Sequence, residues 1–144
     1  MSRRRRGAAA GCALGFATGW NIGNLGGIMS ELAGAYGVGL ATVGLFATAL
    51  FVTHMGVQIP GGRITDRFGV RRAGALGIAA IAGGDLLALT AAEPAVAIAG
   101  RLVTGVGTAI SFVAGSEMVR SAGGTAFAQG VYGGVGLGAG GAAL

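Results

Sequence analysis

Polar side chains along this chain come in short clusters, and the stretches between them stay apolar for about 20 residues, the length of helix that crosses a bilayer. The pattern predicts four complete spans, at about Ala8 to Met29, Leu40 to Ile59, Ala73 to Ala92 and Ala95 to Ser116. A fifth begins near Ala126 and runs to Leu144 without a polar stop, its apolarity supplied mostly by Gly and Ala. Connections are expected at Glu31 to Gly39, Pro60 to Arg72, the Glu93-Pro94 turn and Glu117 to Thr125, where Pro and Gly end helices. The predicted fold is an all-α integral membrane protein with no soluble domain between its spans.

Composition agrees with the pattern. Of the 144 residues 53% are hydrophobic and 10% charged, with a mean hydropathy of +0.73, whereas a soluble domain is roughly a quarter charged. The lipid bilayer is therefore the expected partner. All ten basic residues are Arg and the formal net charge is +5, a balance that could serve phosphate binding. The apolar runs leave no soluble face for a basic stripe, so nucleic acid is not expected as a partner. Lone Cys12 permits no internal disulfide. No Ser/His/Asp set, metal-spaced cluster or phosphate loop is present, so neither an enzyme nor a cofactor is expected. Gly136 to Gly141 fits the GxGxxG dinucleotide pattern, but no strand precedes it and no acidic residue follows.

The arginines also predict orientation. Arg3 to Arg6 precede the first span, Arg63, Arg67, Arg71 and Arg72 fall between the second and third, and Arg120 follows the fourth. The other two connections carry Glu31 and Glu93 and no basic residue. Cytoplasmic loops retain Arg, so a multi-pass protein of the cell membrane with its N-terminus in the cytoplasm is expected. A second reading of Arg3 to Arg6 is a patch for nucleic acid or anionic lipid. Ala10-Gly11-Cys12 imitates a lipoprotein cleavage site, yet too few apolar residues precede it for a signal core, so a retained first span is expected.

Small residues recur every four positions. Gly11, Gly15, Gly19, Gly23 and Gly27 form a ridge on the first span, and Ala126, Gly130, Gly134, Gly138 and Ala142 form one on the fifth. Such ridges let helix backbones approach closely in lipid, where hydrophobicity gives helices no reason to associate.

The most specific residues lie between the second and third spans: Gly62-Arg63-Ile64-Thr65-Asp66-Arg67-Phe68-Gly69-Val70-Arg71-Arg72. Gly62, Asp66, Arg67, Gly69, Arg71 and Arg72 resemble the signature loop of the major facilitator superfamily, with Val70 where that pattern often has a further basic residue. A second stretch, Arg101 to Ala109 with Gly105 and Gly107, is similar to the family's Arg-xxx-Gly-x-Gly motif in the fourth helix. The resemblance implies an alternating-access secondary transporter built from two six-helix halves. Here the chain matches four or five helices of the N-terminal half, so it is expected to be a fragment that lacks the C-terminal half and is inactive alone. Residues Gly62 to Arg72 are then expected to form a conformational gate centred on Asp66, with Arg63, Arg67, Arg71 and Arg72 anchoring it to facing carboxylates, carbonyls or lipid phosphates.

Polar groups inside spans are candidates for a substrate path, because charges there are costly and tend to be paired or functional. Asp85 and Arg101 lie at similar depth, about 10 Å from the Glu93-Pro94 turn at 1.5 Å per residue, and an ion pair between them is expected. Arg101 is the better candidate for meeting an anionic small-molecule substrate. Asn21 and Asn24 share one face of the first span and are expected beside the same cavity. His54 and Gln58, four apart, could pass protons if H+ or another ion drives transport. An alternative function is a small multi-helix membrane protein acting as an oligomer.

Overall fold

A computed structural model describes residues 2–144. Seven helical segments follow one another: α1 (Arg3–Gly23), a 3-10 turn (Gly26–Ile28), α2 (Met29–Tyr36), α3 (Leu40–Phe68), α4 (Val70–Ala88), α5 (Pro94–Ser121) and α6 (Ala126–Ala142). No strand occurs among the described residues. Helices α3 and α5, 29 and 28 residues long, are long and apolar enough to cross a membrane. By comparison, α1 begins with four arginines, α4 has Arg71, Arg72 and Asp85 within 19 residues, and α6 has 17 residues rich in glycine.

The boundaries differ from the sequence expectation at the start of α1, which begins at Arg3, and at the end of α5, which runs on to Ser121 through half of the expected Glu117 to Thr125 connection. They differ most in two further places. The first predicted span breaks at Gly23 instead of continuing to Met29, and most of the expected Glu31 to Gly39 connection is helix α2. Gly37 closes α2 in the left-handed conformation, φ 62°, which glycine adopts without a side-chain penalty. The second difference is larger. The expected Pro60 to Arg72 loop is helix except at Gly69, because Pro60 sits inside α3 instead of ending it. Beyond Pro60 the ladder is restored: Gly61 and Thr65 are buried, and Thr65 Oγ1 donates to the Gly61 carbonyl at 2.9 Å. Tertiary packing therefore overrides the local cost of proline. Gly69, with φ 81° and ψ 152°, lies in a region that essentially only glycine occupies, and it turns the chain from α3 into α4 in one residue.

Helix α5 is the centre of the bundle and packs on α1, α3, α4 and α6. Its contacts rest on small residues. Gly100 lies against Gly84 of α4, Gly107 against Gly77 and Ile81 of α4, Gly105 against Leu50 and Thr53 of α3, and Gly115 against Gly11 of α1. Around these contacts Leu14, Ala73, Ile110, Ala114 and Met118 form one apolar cluster, and Val43, Phe46 and Ala97 form another. Large apolar side chains such as Val52, Met55, Ile59, Leu86 and Phe127 point outward, as a lipid-facing surface requires.

The glycine ridge of α1 does meet α6. Gly19 abuts the backbone of Gly136, and Gly23 that of Gly140, while Gly15 faces the ring of Tyr132. The ridge expected on α6 is not the one used, since Gly130, Gly134 and Gly138 face open space. Burial of Tyr132, whose hydroxyl donates to the Phe112 carbonyl at 2.6 Å, rotates α6 so that Tyr132, Gly136 and Gly140 face inward.

Two substitutions test this packing. Gly19→Ala would drive a methyl group into the Gly136 backbone and is expected to destabilise the chain by about 1–3 kcal/mol despite better helix propensity. Gly134→Ala, with nothing near it, is expected to be neutral or stabilising by up to about 1 kcal/mol. Denaturation followed by circular dichroism in detergent ranks the two. Gly69→Ala meets no steric obstacle, so the same measurement is expected to show only a backbone cost of about 1–3 kcal/mol.

Candidate functional site

Antiparallel packing gathers every arginine except Arg101 at one end of the bundle, formed by the starts of α1 and α4 and the ends of α3 and α5. Arg101 stands alone toward the other end, on α5, and is 6% exposed. Its Nη2 donates to the Asn21 carbonyl at 2.8 Å and to Asn24 Oδ1 at 3.4 Å. Because α1 breaks at Gly23, the Asn21 carbonyl has no helical partner, and the guanidinium caps the negative end of α1. The structure thus brings the Asn21 carbonyl and the Asn24 side chain to Arg101. The Asn21 side chain, however, turns back to the Ala17 carbonyl of its own helix at 3.0 Å.

Asp85 and Arg101 do not form the expected ion pair. Among the described residues the only ion pair is Arg120 with Glu117, at 2.6 Å. Asp85 Oδ1 instead accepts from Thr104 Oγ1 at 3.0 Å, one turn further along α5, while Arg101 reaches across to α1. Both charges still line one cavity of about 290 Å³, closed laterally by Asn24, Tyr36, Phe46 and Ala97. Tyr36 anchors its wall by donating to the Ala88 carbonyl at the end of α4, at 3.3 Å. The cavity therefore contains a cation and an anion on different helices. Arg101 Nε is buried without a hydrogen-bond partner, as is Asn21 Oδ1 on α1, which does not line the cavity, and unpartnered groups of this kind call for an explanation.

His54 is buried where α3 meets α5. Thr108 Oγ1 lies 2.9 Å from the Gly105 carbonyl and 3.0 Å from His54 Nδ1, and when it donates to the carbonyl it accepts from Nδ1. With the Thr108 hydroxyl so turned, Nδ1 carries the proton and Nε2 accepts from Gln58 Nε2 at 3.1 Å; the other tautomer follows when the hydroxyl turns to Nδ1. Gln58, His54, Thr108 and Gly105 are thus joined in one hydrogen-bonded chain. A second proton on the ring would require the Gln58 amide to turn its oxygen toward Nε2.

The residues Gly62 to Arg72 form the end of α3, the Gly69 turn and the start of α4. Asp66 is exposed, with no hydrogen bond or ion pair among the described residues, and Arg63, Arg67, Arg71 and Arg72 do not reach it. It borders a groove of about 230 Å³ between α3 and α5 that also contains Gln58, Ser116 and Glu117. The guanidinium of Arg67 lies 5.6 Å from the ring centroid of Phe68. Gly105 and Gly107, on opposite sides of α5, are contact points for α3 and α4 respectively.

Sequence reasoning missed Thr104 and Thr108, which hold Asp85 and His54. The spacing of Arg101, Thr104 and Thr108 on one helical face was the signal that could have found them.

The sequence model of the Major Facilitator Superfamily matches residues 11–144. No curated protein and no solved structure matches the chain.

A charge-swap experiment separates the observed contacts from the expected ion pair. Asp85→Arg combined with Arg101→Asp is expected to remain as unstable as the worse single variant. An Asp at 101 would set a carboxylate against the Asn21 carbonyl, and an Arg at 85 would lose the Thr104 hydroxyl. Rescue of thermal stability by the double variant would restore the ion-pair reading.

Proposed function

The chain belongs to the Major Facilitator Superfamily, a family of membrane-embedded secondary transporters, and we propose that its Arg101 cavity takes a small solute carrying an anionic group. The observation that carries this reading is the buried guanidinium of Arg101, with Nε lacking a partner beside a cavity of about 290 Å³. A solute carboxylate or phosphate would supply the missing acceptor through a charge-assisted hydrogen bond. Asp85 in the same cavity favours a solute that also presents a hydrogen-bond donor or a cationic group.

In this reading the helices span the cell membrane several times with the arginine-rich end in the cytoplasm. Gly62 to Arg72 act as the gate at that end. Asp66 and the neighbouring arginines engage a facing surface in one conformation and release it in the other, and Gly69 is the joint on which α4 moves against α3. His54 with Gln58 is the site for a coupling proton, taken up when the Gln58 amide turns.

Ligand-dependent thermal stability in detergent tests the solute class without requiring turnover. Monocarboxylates, dicarboxylates and sugar phosphates are screened against neutral sugars. At least one anion is expected to raise the midpoint, as a ligand that binds only the native state must. Arg101→Gln is expected to abolish that shift. Stabilisation by a neutral sugar that survives in Arg101→Gln would defeat the proposal.

A further inference from the structure

A second cavity pair lies away from the Arg101 cavity, at the opposite end of the bundle and along its outer face. The upper member, about 300 Å³, is lined by Arg3, Arg4 and Arg6 of α1, Arg71 of α4 and Met118 of α5, with no acidic residue. It gathers the N-termini of α1 and α4, neither of which has an acidic residue in its first turn. Arginines at a helix N-terminus add to the positive end of the dipole instead of offsetting it. This concentration of positive charge, without an acid to balance it, fits an anion with several oxygens.

The lower member begins where the upper one ends, since Ala10 and Met118 line both. It is a groove of about 490 Å³ between α1 and α4, lined entirely by apolar residues and glycine from Ala10 to Ala82. Ala75, Ala79 and Ala82 repeat on one face of α4 and hollow it out where larger side chains would fill it. From Gly74 to Ala82 the groove runs about 12 Å along the helix, close to the roughly 15 Å depth of one leaflet's hydrocarbon.

A basic pocket at the helix ends, continuous with an apolar trough one leaflet deep in a membrane-embedded chain, has the chemistry of one kind of ligand. The geometry points to a specific site for an anionic phospholipid, its headgroup phosphate held by Arg3, Arg4, Arg6 and Arg71 and one acyl chain laid between α1 and α4. A general attraction of basic ends to an anionic surface would need only the charges. The trough, and the absence of Arg5 from the pocket, are what a bound lipid adds.

Native mass spectrometry of the chain in detergent, titrated with phosphatidylglycerol or phosphatidylcholine, reads the site directly. Phosphatidylglycerol is expected to be retained at least roughly tenfold more tightly. Replacing Arg3, Arg4, Arg6 and Arg71 together with Gln is expected to remove that preference, whereas Arg5→Gln keeps it. Arg71→Gln alone, expected to weaken it severalfold, carries the test if the fourfold variant does not fold. Ala79→Phe, on the outer face, is expected to weaken both lipids by filling the trough while leaving their ratio unchanged. Equal retention of the two lipids, or an Arg5→Gln loss as large as that of Arg71→Gln, would overturn the site. So would displacement of the lipid by millimolar inorganic phosphate, which would reveal a site for the free anion.

Discussion

Helices in lipid gain nothing from hydrophobicity by associating, so this bundle depends on how closely their backbones can approach. Nearly every contact of α5 turns on a glycine: Gly100 and Gly107 toward α4, Gly105 toward α3, Gly115 toward α1. Close approach increases the number of dispersion contacts per turn and lets short polar side chains reach across. Thr53 shows the effect, since its hydroxyl bonds the Leu102 carbonyl of α5 at 2.9 Å beside Gly105. The same proximity brings Thr104 to Asp85 and Thr108 to His54. Glycine packing thus sets both the fold and the placement of the buried polar groups.

Much of this was legible in the sequence. The all-helical class follows from the apolar runs, and the α1 ridge was visible as a four-residue period. The α6 ridge was not, because glycine is so frequent there that two periods compete, and only the buried Tyr132 selects between them. Pro60 misled for a related reason. A proline after an apolar run reads as a terminator, but the contact of Gly61 and Thr65 with the bundle carries α3 onward to Phe68.

The Asp85–Arg101 expectation failed on direction: the two residues line one cavity but bond elsewhere and form no ion pair. Sequence spacing fixes height along a helix, whereas the partner is chosen by whichever hydrogen-bonding group is nearest and unsatisfied. For Arg101 that group was created by the early break of α1, which the apolar pattern could not reveal because Asn24 to Met29 reads as more of the same span.

That break connects the cavity to the rest of the molecule. The Asn21 carbonyl is available only because α1 stops at Gly23, and Arg101 satisfies it while also bonding Asn24. The turn of α1 so capped is the one that packs against α6, where Gly23 meets Gly140 without room for a side chain. An anion that recruits Nε and leaves Nη2 in place adds a bond without disturbing α1, whereas one that draws the whole guanidinium away uncaps the helix beside a close backbone contact. Buried carbonyls are costly to leave unpaired, so the two modes differ by about 1–3 kcal/mol. A cavity ligand therefore acts on the α1–α6 contact only to the extent that it takes Arg101 from Asn21.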